Sequence, residues 1–222
     1  TFIELIQINT SRFEVNRILS WLRLPSIRRK FVLENENIDT IAQWLSKANI
    51  HWGKDRAHKA ELLENDNVSD QFTWQYGLQK LILGMAQSDQ DSLVGSQFFL
   101  ADIEGTQAEL LGNLMLMLEQ LELFSKGLHK EKTPTQWHMF LTQFIDDFFV
   151  VDDGLGFSII HRAINDLLEY TEQAEFDKKV SLAVVQDFLL SHFSQPDPGR
   201  QFMVGQVTFC SMLPMRSIPF KI

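Results

Sequence analysis

The sequence predicts a mainly α-helical protein, and three observations carry that prediction. Apolar residues recur at helical spacing along most of the 222 residues. Helix-starting signatures stand before two of the clearest runs. One short stretch near the C-terminus, Val207-Thr208-Phe209-Cys210-Ser211, reads instead as a β run.

Taken in order, the first expected helix runs from Phe13 to Trp21, with Ser11 and Glu14 spaced as a capping box. Pro25 closes it and starts Ser26 to Phe31 as a separate turn. Further helices are expected from Asp39 to Ala48 and from Gln71 to Met85. Another carries Leu110, Leu111, Leu114, Met115, Leu118 and Leu121, from about Gln107 to Phe124. Its additional apolar residues, such as Leu116 and Met117, call for burial on more than one side. The clearest series is Trp137, Phe140, Leu141, Phe144, Ile145, Phe148 and Phe149, opened by Thr133 as N-cap, Pro134 at the first helical position and Gln136 completing a capping box. Gly156 to Glu172 and Ser181 to Phe193 complete the helices. Loops are expected at Glu64–Asp70, Gln87–Thr106, Lys126–Lys132, Asp152–Gly154 and Gln195–Gly199. The last, Gln195-Pro196-Asp197-Pro198-Gly199, is the best boundary. It divides a helical body, residues 1–199, from the first strand of a second unit, residues 200–222. A lone strand needs neighbours for its backbone, and no second convincing strand is legible. With Thr1 unpreceded by Met and Phe2 to Ile8 already apolar, the chain is expected to be a piece of a larger protein, both of whose flanks continue elsewhere.

Hydrophobic residues make 45% of the chain and charged residues 22%, a globular composition. The single cysteine, Cys210, excludes an internal disulfide and suits a reducing cytoplasm. No run approaches the ~20 apolar residues of a bilayer span, and the opening does not read as a signal peptide. A formal net charge of -9 argues against the whole surface being a nucleic-acid platform. The charge is uneven, however. Arg12, Arg17, Arg23, Arg28, Arg29 and Lys30 gather near the start with Glu14 against them. Asp146, Asp147, Asp152, Asp153, Asp166, Glu169, Glu172, Glu175 and Asp177 cluster later.

Most catalytic motifs are missing. There is no Walker A sequence, and Gly154-Leu155-Gly156 is too short and acidic for a phosphate loop. The pairs Asp146-Asp147 and Asp152-Asp153 offer hard oxygen ligands for magnesium, but adjacent helical residues diverge and no lysine completes a nuclease constellation. A solvated helix end is the simpler reading. His51 and His58 flank Trp52 to Arg56 without enough ligands for zinc, and His129, His138, His161 and His192 stand singly. No nucleophile elbow or triad spacing appears. Neither a catalytic residue nor a metal site is therefore expected.

The basic strip has a positive case. Arg23, Arg28, Arg29 and Lys30 surround a proline-broken helix, where arginines can fork onto phosphates and Trp21 or Phe31 could stack on an unpaired base. The competing reading is a solvated face with Trp21, Ile27 and Phe31 in the core. The strip's shortness and the chain's acidity weigh toward it.

Several blocks resemble the RecC family, the gamma subunit of exonuclease V. Val207 to Lys221 looks like its signature, and Phe72 to Met85, Ile50 to Asp55 with His58, and Pro25 to Phe31 look like further blocks in family order. The resemblance covers essentially the whole chain. It implies a subunit of RecBCD, a bacterial helicase–nuclease acting on double-strand DNA ends in recombinational repair. RecB and RecD are then the partners, and they use the ATP and magnesium. The fold implied is a helical, bundle-like insertion of a degenerate superfamily 1 helicase, followed by a β-strand of the adjoining motor-like domain. An active helicase carries Thr-x-His-x-x-Lys-Gly-Leu-Glu-Phe or close to it at this step. Here Ser211 stands for Thr, Leu213 for His, Arg216 for Lys, Ser217 for Gly and Pro219 for Glu, while Ile218 and Phe220 keep apolar positions. A leucine cannot hydrogen-bond as histidine does, and proline neither carries charge nor donates its backbone N–H. The expectation is a non-catalytic scaffold and DNA-guiding region. Its rival is a protein-interaction body whose acidic helices, Asp146 to Asp177, face a basic partner. A metal nuclease through Asp146, Asp147, Asp152 and Asp153 is a distant third.

Overall fold

The structure, a computed structural model, describes residues 2–86, 93–94, 97–98, 103, 105, 107–151 and 155–194. Within them the chain is helical nearly throughout: α1 (Phe2–Ile6), α2 (Val15–Leu22), α3 (Pro25–Lys30), α4 (Asn35–Lys47), α5 (Arg56–Leu63), α6 (Trp74–Ala86), α7 (Gln107–Leu128), α8 (Pro134–Phe148), α9 (Leu155–Gln173) and α10 (Leu182–Ser194). A two-residue antiparallel ladder pairs β1 (Leu93–Val94) with β2 (Gln97–Phe98), inside the segment expected to be a loop. The expected strand at 207–211, the loop at 195–199 and residues 200–222 lie outside the described residues. No helix among the described residues is long and apolar enough to cross a membrane.

The most strongly patterned element forms as its sequence requires. The Thr133 hydroxyl accepts from Gln136 N at 3.3 Å and Gln136 Oε1 accepts from Thr133 N at 3.1 Å, closing the capping box of α8. Trp137, Leu141, Ile145 and Phe148 are then wholly buried on one face. Their aromatic neighbours form a ladder: Phe124 stacks on Phe144 with centroids 3.5 Å apart, Phe144 on Phe148, and Phe148 meets Phe31 edge-on. This ladder joins α7, α8 and the turn after α3. At the other end of α8, Lys132 exchanges backbone hydrogen bonds with Val180, and Trp137 Nε1 donates to the Val180 carbonyl at 3.0 Å. Lys132 Nζ also reaches the Gly127 and Lys130 carbonyls and lies 4.2 Å from the Trp137 ring centroid, so one cation closes the C-terminal end of α7.

Several starts differ from expectation, each for a local reason. Phe13 takes a positive φ of 53° and is buried, so α2 begins at Val15. Ser11 Oγ accepts from Phe13 N, and Glu14 makes no side-chain cap, so the expected Ser11–Glu14 capping box does not form. Phe72 at φ 67° likewise delays α6 to Trp74, where the Thr73 hydroxyl accepts from Tyr76 N. Helix α4 starts earlier than Asp39, with Asn37 Oδ1 accepting from Glu34 N at 2.6 Å. Helix α7 continues to Leu128, because Gly127 lets it run close against Phe140 of α8. The short helices α1 and α5 were not legible in the periodicity. Helix α1 packs on α10, where Gln186 Nε2 donates to the Ile6 carbonyl.

Candidate nucleic-acid interface

The basic strip is built on α3. Pro25 holds the first helical position, Leu24 before it is extended, and Ile27 is fully buried. The Ser26 carbonyl accepts from Val150 N at 2.9 Å, and Phe31 packs edge-on against Phe148. A helix of six residues is thereby pinned to the end of α8. Arg28, Arg29 and Lys30 lie on it, Arg23 precedes it, and the four cations are not equivalent. Arg23, at the C-cap of α2, and Arg29 are exposed, with no side-chain hydrogen bond or ion pair among the described residues. Arg28 is half-buried and donates to Asn35 Oδ1. Lys30 donates to the Asp146 carbonyl at 2.7 Å, in the last turn of α8. There a cation meets the negative end of a helix, so Lys30 acts structurally.

The expected core partners of the strip are in the core. Trp21 is 1% exposed, Ile27 0% and Phe31 4%, so neither aromatic ring is available to an unpaired base. That part of the nucleic-acid reading is corrected: the strip offers charge without a stacking platform. Asp146 and Asp147 are exposed at the end of α8, and Gln143 Nε2 donates to Asp147 Oδ1 at 2.8 Å. Asp152 and Asp153 lie outside the described residues, as do Ser211, Leu213, Arg216, Ser217, Ile218, Pro219 and Phe220. Among the described residues no group of three His, Cys, Asp or Glu side chains could hold a metal.

The blocks Ile50–His58 and Phe72–Met85 converge into one knot. Phe72 O accepts from His51 N and Trp52 N, Gly53 O from Trp74 N, and Lys54 O from Gln75 N. Arg12 O accepts from Gly53 N at 2.7 Å, and Trp74 Nε1 donates to the Phe13 carbonyl at 2.7 Å. Lys59, 7% exposed, directs Nζ to the carbonyls of Ser69 and Gln71, each at 2.9 Å, and lies 5.3 Å from the Trp52 ring centroid. Gly53 takes φ +83°, and a Cβ there would come within 2.7 Å of Lys59 Cγ. Asp55 caps α5 by accepting from His58 N at 2.7 Å. His58 Nδ1 in turn accepts from Lys54 N at 3.2 Å. Burial, followed by the Lys54 charge, holds the His58 pKa below the ordinary histidine value.

The knot leaves Arg12, His51 and Trp52 at the edge of a groove between α2 and α4, a juxtaposition the sequence reading missed. His51 and Trp52 stood within a family block, but nothing in the spacing brings Arg12 to them. The Arg12 guanidinium lies 5.9 Å from the Trp52 ring centroid.

Comparison with known proteins completes the picture. Residues 1–197 match the family described as RecBCD enzyme subunit RecC fourth domain. Among curated relatives, RecBCD enzyme subunit RecC of Escherichia coli is 28% identical over 223 residues, and that of Haemophilus influenzae 26% over 224, each covering 100% of this chain. The Mycobacterium tuberculosis protein of the same name is 27% identical over 99% of the chain. The chain spans about a fifth of the length of these relatives, 20%, 19% and 20% respectively. With a family match over nearly its whole length, this chain belongs to the RecC family, within which its residues 1–197 correspond to the fourth domain.

Proposed function

We propose that this region is a non-catalytic helical scaffold of a RecC subunit that also guides DNA through the RecBCD assembly. The parent then recognises double-strand ends and tethers RecB and RecD, which supply ATP- and magnesium-dependent chemistry. In this reading the helical body is an insertion in a helicase-like fold whose motor motif has decayed at Leu213 and Pro219. The packing of α1 on α10 supports it, because an inserted body must bring its flanks together. The observation that carries the DNA-guiding part is the exposure of Arg29 on a helix anchored by buried Ile27, with exposed Arg23 at the C-cap of the helix before it. Guanidinium groups without an intramolecular partner suit phosphate, because no bond within the protein has to break for them to bind it.

The test is fluorescence anisotropy of labelled single-stranded and forked DNA titrated with this chain at low and physiological salt. Binding that weakens with salt, and weakens again in Arg23→Ala/Arg29→Ala with a salt slope reduced by about one per lost phosphate contact, supports the reading. No binding even at low salt overturns the DNA-guiding part. The rival reading, a body that only holds RecB and RecD, is favoured by the exposed apolar residues Leu116, Leu123 and Met139 of α7 and α8.

A further inference from the structure

We propose that the groove between α2 and α4 holds an unpaired base of a single strand, with Arg12 taking the adjoining phosphate. This rests on the DNA-guiding reading and extends it to a place where a base can lie. The groove encloses about 470 Å³. Leu19, Ala42 and Ile50 give it apolar walls, while Asn16 and Ser46 bring an amide and a hydroxyl to its rim. Trp52 is half-buried at one side, its backbone N–H tied to the Phe72 carbonyl and its ring addressed by the buried Lys59 ammonium. The ring is thus held in place before anything binds. Next to it, His51 is exposed and meets Phe72 edge-on at 5.2 Å.

This combination matches what an unpaired nucleotide presents. A base offers a flat π-face for Trp52 and polar edges for Asn16 and Ser46, and its phosphate needs a cation. Arg12 is exposed and touches the Trp52 ring only through a cation–π contact, so it can exchange that contact for a phosphate while a base stacks. Glu14 also lines the groove and excludes phosphate from its own side; it can accept from an exocyclic amino group. The groove and the basic strip share helix α2. Asn16 and Arg23 are seven residues apart and share one face of α2, about 10 Å along the axis, roughly the span of one or two nucleotides of an extended strand. The strip therefore supplies charge, and the groove supplies the stacking surface that buried Trp21 and Phe31 cannot.

The experiment compares this chain's affinity for labelled oligothymidylate and for an abasic oligomer of equal length, at low salt. The expected result is binding of both, with the base-bearing oligomer about tenfold tighter. Trp52→Ala should abolish that preference, bringing the affinities for the two oligomers together. Because this variant also removes the Lys59 contact, Ser46→Leu serves as a second: from an exposed position it fills the groove with an aliphatic side chain that cannot stack, and it should erase the same preference. Equal affinity for the two oligomers, or a preference surviving in a folded variant, overturns the base site and leaves phosphate guiding by α3 standing. Failure of both oligomers to bind overturns the site and the DNA-guiding reading together.

Discussion

Replacing Lys59 with methionine tests whether the knot between the two family blocks holds the fold. The side chain is 7% exposed, and its ammonium donates to the carbonyls of Ser69 and Gln71 at 2.9 Å each. Methionine keeps most of the apolar stem that lies against Gly53, so the change isolates the charged end. Hydrogen bonds from a charged donor contribute about 1.5–3 kcal/mol each, and the Trp52 contact adds about 0.5–1 kcal/mol. Against this stands the several kcal/mol of desolvation that burial of the ammonium costs, which the variant recovers in part. Two carbonyls then lose their partner. The net expectation is a loss of about 2–4 kcal/mol. Urea denaturation followed by circular dichroism measures it, with an unchanged m-value showing that the denatured state is the same. Amide exchange at residues 69–73 should accelerate in parallel, because that segment is held through Lys59. A loss below about 0.5 kcal/mol, or a gain, would show that desolvation cancels the bonds and that the clamp reasoning is wrong.

Three further outcomes follow from the geometry. Gly77→Ala places a Cβ 2.1 Å from Ile50 Cγ1 and should cost about 1–3 kcal/mol. Ile50→Ala should cost less in that background than alone, a coupling that a double-mutant cycle measures. Thr133→Ala opens the capping box of α8 and should lower stability by about 1 kcal/mol in the same urea titration. Because the His58 pKa is depressed in the folded state, its neutral form is the one the fold favours. Its contribution is complete above the unfolded histidine value of about 6.5 and is lost as pH falls from there through the folded value. The denaturation midpoint should therefore drop from pH 7.5 to pH 5, and His58→Gln should flatten that part of the profile.

Helix α8 was legible because every level of its sequence agrees. Thr133, Pro134 and Gln136 open it, and the apolar series continues without interruption to Phe148. Helices α2 and α6 were misplaced by two and three residues, because Phe13 and Phe72 adopt positive φ where periodicity alone continues the helix. Tertiary bonds fix those conformations: Trp74 Nε1 reaches the Phe13 carbonyl from 61 residues away, and Phe72 O serves His51. Helix α5 has almost no apolar face, since its buried residue is Lys59, and no hydrophobic pattern can reveal a helix anchored by a lysine. The same limit applies to the candidate site. The cations of the strip were legible as a run, but Lys30's engagement with Asp146, 116 residues away, and the meeting of Arg12 with Trp52 are properties of the fold.

The division between committed and uncommitted side chains separates structure from function in this body. In the knot, Asp55, His58 and Trp74 each have a partner in the fold, so removing any of them should lower stability and leave DNA affinity per folded molecule unchanged. Along α2 and α3 the order reverses. Arg23 and Arg29 make no side-chain bond among the described residues, so their removal should hardly move stability. If they guide DNA, their loss appears as a smaller salt slope and a weaker affinity. Lys30 belongs to the first class although it sits in the second, because the Asp146 carbonyl already holds it. A strip whose four cations behaved alike would contradict this division, whereas Arg29 affecting binding and Lys30 affecting stability would match it.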